Sequence, residues 1–99
     1  MSTDFDPAGA YALAPSVSLR PEPFGALVYD FTTRRLSFLK TPQLVTVVRG
    51  LGAHRDATAA VAAAGIPTGE HRSYFRALAT LLKAGTITPR TATDEQDHR

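Results

Sequence analysis

Apolar positions recur along this chain in two rhythms, first every second residue and then every third or fourth. Ser16 to Arg20 alternates polar and apolar and reads as a strand. Pro21-Glu22-Pro23 then forbids regular structure, and Gly25 permits a sharp turn. Ala26 to Phe31 and Arg34 to Leu39 follow as a second and third strand, with Thr32-Thr33 as the turn between them. Symmetry about that turn sets Phe31 against Arg34, Tyr29 against Leu36 and Leu27 against Phe38. Side chains alternate with period two, so Leu27, Tyr29, Leu36 and Phe38 share one face, which is expected to meet the helices. Asp30 and Arg35 then oppose each other on the other face as an exposed charge pair, worth under ~1 kcal/mol.

From Thr41 the rhythm changes. Thr41-Pro42 joins an N-cap hydroxyl to a proline suited to a first helical turn. Leu44, Val45, Val47, Val48 and Leu51 keep helical spacing, and Gly50 and Gly52 end the run. Asp56 caps a second, alanine-rich helix through Ala64. A third runs from about Gly69 to Ala84 and stops at Gly85, and Thr86 to Pro89 reads as a short extended piece. The predicted fold is therefore α+β and winged helix-turn-helix-like: a three-stranded antiparallel sheet followed by three helices. Its expected organisation is an N-terminal arm over 1–15, a domain over 16–90 and a disordered acidic tail over 91–99.

Composition narrows the chemistry. The 99 residues suffice for one small domain, and 43% of them are hydrophobic. Absence of cysteine removes disulfides, thiolate metal sites and cysteine nucleophiles. His54, His71 and His98 are scattered, and Gly50-x-Gly52 follows a helix rather than a strand. The four acids of the body are far apart, so no carboxylate pair is poised for acid–base work. These features predict no enzyme, no metal and no cofactor. Met1 to Pro7 has two aspartates and no basic apolar leader, and no apolar stretch is long enough for a bilayer, so a cytoplasmic location without a membrane partner is expected.

The net charge of +2 hides an asymmetry. Ser16 to Arg90 holds ten Lys or Arg against four acids, Glu22, Asp30, Asp56 and Glu70, and the other acids lie at the two ends. A basic body draws anionic partners. Arg72, Arg76 and Lys83 follow one side of the third helix, which in a DNA-binding protein would enter the major groove. Against that reading, Tyr74 and Phe75 occupy the first turns of the helix, where base readers sit, and the chain has no Asn. Paired edge strands of two copies are a third reading. The third strand, if it is the sheet edge, needs protection from aggregation, and Arg34, Arg35 and Lys40 supply it while also suiting an acidic peptide.

The stretch from Leu13 to Lys40, with its R-P-E-P-F-G-A and T-R-R-L-S-F-L blocks, closely resembles the mycofactocin-biosynthesis chaperones of the MftB family. The likeness continues through Tyr74-Phe75-Arg76-Ala77-Leu78 to Pro89-Arg90 and covers about 80 residues. That family is similar to PqqD and to other elements that recognise ribosomally made, modified peptides. The resemblance implies a non-catalytic chaperone that binds the acidic leader of a precursor peptide and presents it to a radical-SAM maturase, without nucleic acid. It implies strand addition: the leader pairs with Arg35, Leu36, Ser37, Phe38 and Leu39 and lies against the third helix. Helical periodicity adds Arg72, Tyr74, Phe75, Arg76, Leu78, Leu81 and Leu82 as candidate contacts there.

Overall fold

Two small antiparallel sheets and three α-helices make up residues 5–90, the ones that the computed structural model describes. The tail expected at 91–99, and residues 1–4 of the expected arm, lie outside the described residues. The main sheet has the order β2 (Val17–Glu22), β3 (Gly25–Asp30), β4 (Arg35–Leu39). It is followed by α1 (Pro42–Gly50), α2 (Ala57–Ala63) and α3 (His71–Ala84), the α+β arrangement that the sequence predicts. A second sheet joins β1 (Tyr11–Leu13) to β5 (Ile87–Pro89), so part of the expected arm is built into the fold, with Tyr11 buried.

Local chemistry sets the boundaries. Thr41 accepts from the Leu44 N–H at 3.1 Å, and Asp56 accepts from the Ala59 N–H at 2.8 Å, so two helices start on side-chain caps. Pro7 and Gly9 carbonyls accept from the Thr58 and Ala57 N–H groups, fastening residues 7–9 to the start of α2. Gly85, left-handed at φ 83°, ends α3. α1 ends at Gly50, as the sequence predicts, and a 3₁₀ turn over Leu51–Ala53, which contains Gly52, follows it and buries Leu51.

Strand pairing follows the predicted register, with Leu27 opposite Phe38, Tyr29 opposite Leu36 and Asp30 opposite Arg35. The buried face is the opposite of the expected one. Ala26, Val28 and Leu39 are buried against the helices, whereas Leu36 and Phe38 are 57% and 53% exposed. Lys40 alone separates Leu39 from the cap of α1, so Leu39 turns inward where that helix begins. Val17 and Leu19 lie opposite Asp30 and Val28 and extend the same inner face. The larger apolar set is thus left outside, where Phe24 meets Phe38 edge-on at 5.9 Å and Tyr29 meets Phe31 at 5.1 Å.

The hairpin connection is wider than Thr32-Thr33. It spans Phe31 to Arg34, with the Arg34 N–H on the Asp30 carbonyl at 2.7 Å and Arg34 left-handed at φ 63°. Asp30 stabilises it by accepting from the Thr32 and Thr33 N–H groups at 2.9 and 3.3 Å and from the Ser16 hydroxyl at 3.0 Å. Its carboxylate is therefore turned to the loop, and the expected ion pair with Arg35 does not form. β2 also runs through Pro21 to Glu22, beyond its expected end, because Pro21 sits on an edge where a missing N–H breaks no ladder bond.

Candidate peptide-binding edge and groove

The sheet has two outer strands, and β4 offers a guest more free N–H donors than β2. Phe31 donates its N–H to the Ser16 carbonyl at 2.8 Å, so the odd-numbered amides of β3 turn toward β2 and the even-numbered ones toward β4. On β2 this leaves Val17, Leu19 and Pro21 facing away from the sheet. The Val17 N–H is taken by the Ala14 carbonyl at 3.0 Å and Pro21 has none, which leaves Leu19 with the one outward N–H of β2. On β4, Arg35, Ser37 and Leu39 face β3, while the N–H and C=O groups of Leu36 and Phe38 point outward. Arg34, Arg35 and Lys40 stand exposed along this free edge.

A groove runs between that edge and α3. At one end a cavity of about 220 Å³ is lined by Thr41, Leu44, Ser73, Tyr74 and Ala77. It shares Leu44 and Ala77 with a cavity of about 330 Å³ reached by Phe38, Leu39, Lys40, Thr80 and Leu81. At the other end about 160 Å³ is enclosed by Asp30, Thr33, Arg35, Ser37, Ala84 and Thr86, with Val28 and Leu36. The strand ascends while the helix descends, so the two are antiparallel. From Ser73 to Ala84 the helix rises about 16 Å, room for about five extended residues at ~3.3 Å each.

The helix residues proposed from the sequence separate onto three faces. Tyr74 and Leu81 line the groove, as do all five proposed residues of β4. Leu78 is 0% exposed and belongs to the core, against which Leu82 packs half-buried. Arg72, Phe75 and Arg76 lie about 120° around the helix from the groove, beside Phe5 and Pro7 in a shallow depression. Phe75 there approaches Phe5 at 6.0 Å. Sequence reasoning missed Leu44, Ser73, Ala77, Thr80 and Ala84. The signal was present: Ser73, Ala77, Thr80 and Ala84 are small residues at helical spacing, and their size leaves the groove unfilled.

Electrostatics favour an anionic guest. Among the described residues the ion pairs are Arg20 with Glu22 at 3.8 Å and Arg55 with Asp56 at 3.9 Å. The cations beside the groove thus have no carboxylate within ion-pair distance among those residues. For Asp30, burial pushes the carboxyl upward, and the hydrogen bonds from Ser16, Thr32 and Thr33 outweigh it, holding the group below its ordinary value. His54 and His71 each use a ring nitrogen on a backbone carbonyl, Gly50 and Ile66, at 2.8 Å. Among the described residues no three His, Cys, Asp or Glu cluster for a metal, and no helix is long and apolar enough to cross a membrane.

The chain is 46% identical over 88 residues to the peptide chaperone MftB of Mycobacterium ulcerans, an alignment spanning 89% of this chain and 81% of the relative. The MftB of Mycolicibacterium smegmatis is 45% identical over 85 residues, 86% of this chain and 83% of its own. That of Mycobacterium tuberculosis is 41% identical over 92 residues, 93% and 84% respectively. No solved structure matches the chain. The model of the peptide chaperone MftB family matches residues 10–88, from the first strand of the small sheet to the last, and the chain belongs to that family.

Proposed function

We propose that this non-catalytic peptide chaperone acts in mycofactocin biosynthesis by adding the acidic leader of the precursor to β4 and presenting the precursor to a radical-SAM maturase in the cytoplasm. The observation that carries the reading is the asymmetry of the sheet: β2 keeps one outward donor, that of Leu19, whereas β4 keeps two, those of Leu36 and Phe38, and lies beside a groove. Main-chain pairing supplies affinity with little demand on sequence, and the groove supplies selectivity. The amides of Leu36 and Phe38 offer four hydrogen bonds at about 1 kcal/mol each. Two apolar guest side chains in the groove add about 2 kcal/mol each. The gross sum of about 8 kcal/mol corresponds to micromolar affinity before the guest is ordered. Carboxylates meeting Arg34, Arg35 and Lys40 speed association and make it salt-sensitive.

Titration of the labelled precursor leader tests this. Ala77→Phe fills the groove from the helix side and should weaken binding at least tenfold. Ala79→Phe, beside Arg76 on another helix face, should leave it unchanged. Circular dichroism checks that both variants fold. Equal affinities for the two variants would overturn the groove reading. Duplex DNA binding without leader binding would favour a regulator, and a doubled mass by light scattering would indicate that two free edges pair with each other.

A further inference from the structure

The groove changes character along its length. Around Leu39, Leu44, Ala77 and Leu81 it is apolar. Around Asp30, Thr33, Arg35, Ser37 and Thr86 it is more polar and more enclosed, and the Asp30 carboxylate there is already taken up by hydrogen bonds from Ser16, Thr32 and Thr33. Arg35, Ser37 and Leu39 share the helix side of β4, so side chains of an added strand would stand beside them at every second residue. Asp30, the acid in register with Arg35, is engaged by Ser16, Thr32 and Thr33 and forms no ion pair with it. The guanidinium side chain therefore stands at the polar end with no carboxylate at ion-pair distance among the described residues.

We infer that Arg35 reads one Asp or Glu of the guest, four residues from the apolar side chain seated beside Leu39 and Leu81. The inference rests on the strand-addition reading above. Four strand residues span about 13 Å, the separation of positions 35 and 39 along β4. The guest class is thereby narrowed from an acidic peptide to one with an apolar residue and a carboxylate at a fixed interval. Lys40, by contrast, stands at the mouth of the apolar cavity, where it contributes general attraction.

The test is a series of the labelled leader in which each Asp or Glu in turn is replaced by Lys, titrated against the natural chain and Arg35→Glu. One position should lose about tenfold with the natural chain and regain it, to within about twofold, with Arg35→Glu, and the regain should shrink as salt rises. That position should lie four residues from the apolar residue whose replacement by Ala costs most. Arg35→Gln serves as a gentler second variant and should make Lys and Glu equivalent there. Coupling at no position, or at another interval, overturns the inference, and strand addition still stands if Ala77→Phe blocks the leader. A leader insensitive to Ala77→Phe removes both.

Discussion

The amides of Phe38 and Ser37 are adjacent in sequence and have opposite duties, and a single-atom change separates them. Replacing residue 38 by its α-hydroxy analogue, phenyllactic acid, turns its N–H into an ester oxygen and keeps the side chain. The Phe38 N–H points away from β3, so the folded sheet loses no ladder donor. A guest strand loses one hydrogen bond of about 1 kcal/mol, and leader affinity should fall about fivefold. The same replacement at Ser37 removes a donor to Val28 on β3 instead. Stability should fall by about 1 kcal/mol, lowering Tm by about 4–8 °C in a domain of this size. Leader affinity should then change less than about twofold. Each ester also weakens the carbonyl before it, so each variant carries a smaller echo of the other effect. Calorimetric titration and thermal melting of both proteins give four numbers. An affinity loss confined to the Ser37 variant would refute the assigned ladder parity. No affinity loss in either would refute strand addition.

Leu78→Ala should act on the fold, costing about 2–5 kcal/mol in chemical denaturation, because the side chain is fully buried among core residues. Arg90 donates to the carbonyls of Tyr11, Leu51 and His54 and ties β1 and β5 to the turn that follows α1, so Arg90→Ala should lower the unfolding free energy in chemical denaturation by about 2–3 kcal/mol, with Arg90→Lys restoring part. The folded-state lowering of the Asp30 carboxyl means that its contribution is present above the ordinary carboxylate range and is lost as pH falls through the folded value. Melting between pH 5 and about 3 should therefore show a smaller acid-induced loss in Asp30→Asn than in the natural chain.

Much of the fold was legible because local signals agreed. Thr41-Pro42, Asp56 and Gly85 mark helix ends by backbone chemistry that neighbours cannot override, and the hairpin register follows from alternation about one turn. The face of the sheet was not legible, since both faces of β3 and β4 carry apolar residues and the side is decided by how closely Leu39 precedes α1. The pairing of β1 with β5 joins segments more than seventy positions apart, and no local pattern announces it. For the candidate site, alternation placed the strand β4, and its role as the guest's edge was implied by the family resemblance. The lining of α3 was not legible: periodicity marks which residues repeat, and apolar bulk drew the choice toward Leu78 and Phe75 when the groove is formed by what is small.

The proline on β2 makes that flank of the sheet a poor place for another strand to join. A sheet open on both sides could be extended from either, and successive copies could then stack without limit into a fibre. With no donor at Pro21 and the Val17 amide spent on Ala14, β2 keeps only the Leu19 N–H for such growth, against two on β4. Lateral growth is thus discouraged on one flank of the sheet and left to the other.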